Sequence, residues 1–158
     1  LDTANTDMCP ACEALLYAAA RAQHVSQVIR PAVERGMLVL CDRFVDSSVA
    51  YQGGGRGLGV ETVQQINDPA VDGMTPDATL YLAIDHREAL RRRLSASEPD
   101  RLELEAGEFH ERVQKAYERL VRDNRRRFMV VDAARGVDEV ARDALDAVLE
   151  RLLPDRRA

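Results

Sequence analysis

A chain of 158 residues, 46% hydrophobic and 31% charged, is long enough to bury a substantial core and has the balance of a globular domain. Its 27 acidic residues outweigh 22 basic ones for a formal net charge of −5, which gives no overall reason to bind nucleic acid. No stretch reaches the roughly 18 apolar residues of a membrane span and no signal-peptide pattern opens the chain, so one cytoplasmic domain over residues 1–158, with no membrane partner, is expected.

Residues 1–11 are polar and read as a loop carrying Cys9-Pro-Ala-Cys12. With Cys41 the cysteines are odd in number, and no second Cys/His pair completes a zinc site, so reduced thiols without a role are expected. The chain opens on Leu1 rather than Met, and is expected to begin inside a longer protein. From Glu13 to Arg35 the apolar positions Leu15, Leu16, Ala18, Ala19, Ala22, Val25, Val28, Ile29 and Val33 recur at helical spacing. Gly36 stops this helix and Pro31 is placed to kink or divide it. Its polar stripe holds Arg21, Gln23, His24 and Gln27, with His24 expected on a solvated face.

Met37 to Cys41 is a continuous apolar run that stops at Asp42-Arg43. Such a run predicts a buried parallel strand whose carboxyl end opens where α/β sheets bind ligands. Asp42 at its tip suits a hydrated Mg²⁺ beside a phosphate, and Arg43 offers a planar fork of donors that matches phosphate oxygens. Asp46, Ser47, Ser48, Tyr51 and Gln52 follow as a dense polar set for reading a small polar ligand. Gly53-Gly54-Gly55-Arg56-Gly57-Leu58-Gly59 reads as a mobile connection, because it lacks the Gly-Lys-Ser/Thr ending of a phosphate cradle.

Val60 to Asn67 is a predicted short helix bounded by Asp68-Pro69, and Ala78 to Ile84 a second buried strand ending at Asp85. His86 to Leu94 is a helix bearing Arg91, Arg92 and Arg93. Residues 95–107 are short of large hydrophobic anchors, contain Pro99 and Gly107, and are expected to form a lid. Glu108 to Arg127 is amphipathic, with Phe109, Val113, Ala116, Tyr117, Leu120 and Val121 on its buried face. Phe128 to Val131, closed by Asp132, is a third strand; Val137 to Leu153 is the last helix, and the tail after Pro154 is expected to fray. Strands alternating with helices define a doubly wound α/β class, a parallel sheet with helices on both faces.

The strings RAQHVSQVIRPAVERG, VLCDRFVDSSVAYQGGGRGLG, TPDATLYLAID and DRLE, in this order, closely resemble bacterial thymidylate kinases, P-loop enzymes that phosphorylate dTMP with Mg·ATP. The resemblance runs from about Glu13 onward. It implies that Arg21 donates to a thymine carbonyl and that Tyr17, one turn earlier, stacks on the base where the family usually has Phe. It implies further that Ser48 meets the N3 edge with Gln52 beside it, that Tyr51 packs on the deoxyribose, and that Asp42 and Arg43 serve Mg²⁺ and the dTMP phosphate. Arg101, in the Arg-x-Glu of the lid, corresponds to an arginine that stabilises the transferring phosphoryl group. Arg91, Arg92 and Arg93 are further candidates, though not all three can face one site. Arg135 lies where the family closes over adenine. The same resemblance implies dTMP and ATP as ligands, Mg²⁺ as cofactor and a homodimer.

Two family features have no counterpart. No Gly-x-x-x-x-Gly-Lys-Ser/Thr string occurs, the sole lysine being Lys115, and the Glu-Pro-Gly-Gly segment is absent. In the resembled fold the strand missing with them lies between those at Met37–Cys41 and Ala78–Ile84, which leaves a gap of unpaired backbone groups. The sequence is therefore expected to be the C-terminal portion of a kinase, inactive alone. Two alternatives stay open: another nucleoside monophosphate kinase, or a noncatalytic nucleotide-binding module.

Overall fold

The computed structural model describes residues 4, 5, 7–95 and 100–152. Residues 96–99 of the expected lid and the tail after Pro154 lie outside these. In chain order the elements are α1 (Pro10–His24), a π-helix (Val25–Ile29), α2 (Arg30–Glu34), α3 (Val45–Ser48), a second π-helix (Val49–Gly55), α4 (Val60–Val71), β1 (Thr79–Ala83), α5 (His86–Leu94), α6 (Gly107–Asp123), β2 (Phe128–Asp132) and α7 (Val137–Leu152). The described residues divide into two compact units, one of residues 4–75 and 100–120, the other of residues 76–95 and 121–152.

In the first unit, α1, its π-helix and α2 follow one another without a break, as the apolar spacing predicts. The wider turn precedes Pro31: the Arg30 amide bonds to Val25 O, five residues back, which makes room for a ring that would otherwise crowd the preceding carbonyls. The buried stripe is Ala14, Ala18, Val25, Ile29 and Ala32, while Leu15, Leu16, Val28 and Val33 are exposed. Small residues line the buried side because α1 packs closely on α4, which contributes Val63, Asn67, Ala70 and Val71. Helix α4 runs past the boundary predicted at Asp68-Pro69. It ends only at Asp72, whose left-handed backbone (φ 47°) brings its amide to Asp68 O.

Two expectations are corrected in this unit. Met37 to Cys41 forms no strand: among the described residues nothing pairs with it, and Leu38 and Leu40 are 64% and 83% exposed. An apolar run becomes a strand only when a neighbour completes its ladder, and among the described residues no such neighbour stands beside it. Gly53 to Gly55 are the end of a helix rather than a mobile connection. They let it lie against α6, since a Cβ on Gly54 would come within 2.6 Å of Ala116 Cβ and one on Gly55 within 2.5 Å of Phe109 Cε2. Arg112 then caps that helix, donating Nε and Nη2 to Gly55 O at 3.1 and 2.9 Å. From α6 itself, Phe109, Val113 and Leu120 are buried as its periodicity predicts.

The second unit holds a parallel pair, β1 on β2, in register from Thr79↔Phe128 to Ala83↔Asp132. The pairing extends by one bond at each end, Thr79 N to Arg127 O and Ala133 N to Ala83 O. Phe128, Val131 and Ala133 are buried, and α7 packs on β2. Asp85 starts α5 by accepting from the Arg87 amide, and Arg92 ties that helix down by donating to Ala133 O and Ala134 O, both at 2.8 Å. The class is α/β with a parallel sheet, two-stranded among the described residues.

Candidate functional site

Glu13, Tyr17 and Arg21 stand four residues apart on α1, so one face carries a carboxylate, a phenol and a guanidinium. Arg21 is held by three neighbours. Its Nη2 donates to Ser48 Oγ at 2.9 Å and to Phe44 O at 3.2 Å, its Nη1 donates to Asn67 Oδ1, and the guanidinium lies 5.5 Å from the Phe44 ring centroid. Ser48 and Asn67 are buried. Burial presses the Arg21 pKa down, yet the group stays a cation at neutral pH.

The chain enters this cluster through a strained turn. Arg43 has φ 62°, in the left-handed region that side chains disfavour by about 1–2 kcal/mol, and the Cys41 thiol donates to its carbonyl at 3.3 Å. The turn carries the Arg43 guanidinium over the Tyr51 ring, 5.1 Å from its centroid. Tyr51 in turn meets Phe109 and Tyr117 edge to face at 6.1 and 6.4 Å, and Arg56 lies over Phe109 at 4.9 Å. Two arginines thus lie over different rings of one aromatic cluster. Asp42, beside Arg43, is exposed.

Beneath them is a buried ion cluster. Glu13 is 2% exposed and accepts from Gln52 Nε2 at 2.9 Å, from Arg56 Nε and Nη2 at 3.3 and 3.1 Å, and from Arg101 Nη2. Arg56 also pairs with Glu105 through Nη1 at 2.5 Å. Burial works to raise the Glu13 pKa, but the bonds from Arg56, Gln52 and Arg101 outweigh it and hold the carboxyl below its ordinary value. Tyr17 is pushed up, by burial first and then by Glu13 and Asp100, against the pull of Arg101 and Arg43.

All the expected site residues of the first unit therefore fall into one neighbourhood: Tyr17, Arg21, Asp42, Arg43, Ser48, Tyr51, Gln52 and Arg101. Gln52 is buried, with its amide spent on Glu13, and the Ser48 hydroxyl faces Arg21. Arg135 is in the second unit, 3.7 Å from Asp132 and paired with Asp143. Arg91 and Arg92 pair with Glu88. Cys9, at the N-terminus of α1, and Cys12 are exposed free thiols, as is Cys41. Sequence reasoning missed Glu13, Arg56 and Asn67. The signal for Glu13 was its spacing with Tyr17 and Arg21, an acid on the face that carries the two candidates.

Tyr117 gives a test of this packing. Tyr117 donates to Ser47 Oγ at 2.8 Å, and burial pushes its pKa from an ordinary 10.0 up to about 12. The folded chain holds this proton more tightly than the unfolded one, so its contribution is intact below about pH 10 and is lost as pH rises toward about 12. Chemical denaturation across that range should show stability falling, with Tyr117→Phe flattening the fall. Identical slopes for the two proteins would contradict the packing of Tyr117 on Ser47 and Tyr51.

An α/β chain with a parallel β–α–β unit, whose polar cluster is rich in arginine forks and aromatic rings, has the makings of a protein that handles phosphorylated ligands. Residues 1–144 match the family model described as thymidylate kinase. The chain is 46% identical over 154 residues to the thymidylate kinase of Bacillus pumilus, covering 96% of this chain and 73% of that protein. It is 48% identical to the thymidylate kinases of Lactiplantibacillus plantarum and Symbiobacterium thermophilum, covering 96% and 99% of this chain and 70% and 72% of theirs. The chain belongs to the thymidylate kinase family, a branch of the P-loop NTPases.

Proposed function

We propose that this protein serves the ATP-dependent phosphorylation of dTMP to dTDP on the way to dTTP, with its first unit as the acceptor site. The observation that carries the reading is the fixed fork of Arg21, held by Ser48, Phe44 O and Asn67 on the helix face that also presents Tyr17. An arginine so held presents donors in a set direction, as recognition of a base carbonyl requires, and Tyr17 offers a ring for stacking. Ser48, Tyr51 and Gln52 shape the wall around the nucleoside, Gln52 from behind through Glu13. Arg43 takes the acceptor phosphate and Arg101 the transferring group, so these chains act by positioning and charge neutralisation. Arg135 is assigned to the adenine side of ATP.

Asp42 fits a place in the shell of a magnesium ion. It is an exposed hard oxygen donor next to the phosphate-binding arginine, and Mg²⁺ keeps most of its waters and needs only one or two carboxylates besides the phosphates. When bound with ATP, the ion supplies neutralisation of phosphate charge. The reading takes the protein to work in the cytoplasm as a homodimer with dTMP and ATP, without nucleic acid or a membrane; no helix among the described residues is long and apolar enough to cross one.

Calorimetric titration of the 158-residue chain with dTMP, dCMP, AMP and shikimate tests the acceptor assignment. Binding of dTMP at least about tenfold tighter than of the others is expected, since a site built to hydrogen-bond one base leaves buried groups unpaired against another. Equal affinities, or none for dTMP, would remove it.

A further inference from the structure

Glu13 touches no proposed ligand, yet four hydrogen bonds from three side chains converge on it. Burying an ionised carboxyl is costly unless it is fully paired, and here two guanidinium groups and an amide converge on it. The partners differ in how they are otherwise held. Gln52 is part of a helix, and Arg56 has Glu105 and the Phe109 ring besides. Arg101 comes from the turn of residues 100–106, is 12% exposed, and carries a buried Nε with no partner. That turn is closed by Asp100, whose Oδ1 accepts from the Leu102 and Glu103 amides at 2.8 and 3.0 Å, and it is anchored by the buried Leu102.

We infer that Glu13 is a positioning residue: it latches Arg101, and with it the turn of residues 100–106, to the helix face that bears Tyr17 and Arg21. The charges explain the arrangement. Glu13 and Glu105 balance Arg56 and Arg101, so Arg101 is kept in place without a surplus cation in the core of the cluster. This inference rests on the acceptor-site reading for its functional meaning, and on geometry alone for the latch.

The test separates the two. Hydrogen exchange of the 158-residue protein reads the latch without any nucleotide. Glu13→Gln, which keeps the shape and removes the charge, should speed exchange at the amides of residues 102–105 by about tenfold or more while β1 and β2 are unchanged. Titration with dTMP reads the consequence: with the turn of residues 100–106 freed from the helix face that bears Tyr17 and Arg21, Glu13→Gln should weaken binding about tenfold, and should add nothing further in an Arg101→Gln background, because the two hold that turn as one unit. Glu13→Asp, which keeps the charge, should recover most of the affinity. Unchanged exchange in Glu13→Gln, or losses from Glu13→Gln and Arg101→Gln that multiply independently, would overturn the latch. If Glu13→Gln does not fold, Arg101→Gln alone must speed exchange at residues 102–105, and unchanged exchange there overturns it equally. Absence of dTMP binding to the unaltered protein would defeat the acceptor-site reading and leave the exchange result to decide the latch.

Discussion

Arg43→Ala is expected to weaken dTMP binding by roughly 10- to 150-fold, the loss of about 1.5–3 kcal/mol that removal of a charged hydrogen-bonding partner brings. The fold should tolerate the change. Arg43 has an exposed side chain and contributes a ring contact to Tyr51, while the bond from the Cys41 thiol goes to its backbone carbonyl and survives any substitution. Alanine also inherits the same positive φ with the same Cβ, so the strain of the turn is unchanged. The melting temperature should therefore stay close to that of the parent while calorimetry shows the affinity drop. Near-normal affinity with an intact fold would take the phosphate away from Arg43 and leave the strained turn without a purpose.

The largest effect on stability is expected at Gly54. A Cβ there would meet Ala116 Cβ at 2.6 Å and the Arg112 carbonyl oxygen at 3.2 Å, and neither can rotate aside. Relief requires the two helices to part, which by the measure of overpacked cores costs about 1–3 kcal/mol. At Gly55 the obstacles are side chains, Phe109 and Val113, which have some freedom to shift. At Gly107 nothing lies within 4 Å, so alanine should be neutral or slightly stabilising through its helix propensity. Urea denaturation of Gly54→Ala and Gly107→Ala should separate them clearly. Equal midpoints would mean that the helix ending at Gly55 does not rest on α6 as described.

What could be read from the sequence, and what could not, follows from the range of the interactions involved. The continuous helical stretch of α1, its π-helix and α2, helices α5, α6 and α7, and strands β1 and β2 lie within a few residues of their predicted bounds, because each is written in its own periodicity. Met37 to Cys41 has strand composition but no strand, since pairing is a property of two segments and only one was in view. Three consecutive glycines resemble a flexible loop until the partner helix is seen, with Ala116 and Phe109 pressed where side chains would otherwise be. Pro69 resembled a boundary, yet α4 continues to Val71. In the site, Tyr17, Arg21, Arg43 and Ser48 were legible from motif and spacing. Glu13 had only its spacing with Tyr17 and Arg21 to mark it and Arg56 had nothing, because the buried ion cluster draws on residues 13, 52, 56, 101 and 105, which lie far apart in the chain.

A crystal structure of the 158-residue chain with dTMP tests the central claim most directly. The account predicts the thymine ring on Tyr17 with a carbonyl oxygen in hydrogen-bond reach of Arg21, and the 5′-phosphate on the Arg43 guanidinium. Nucleotide bound away from both arginines, with no base against the Tyr17 ring or within hydrogen-bond reach of Arg21, would contradict it.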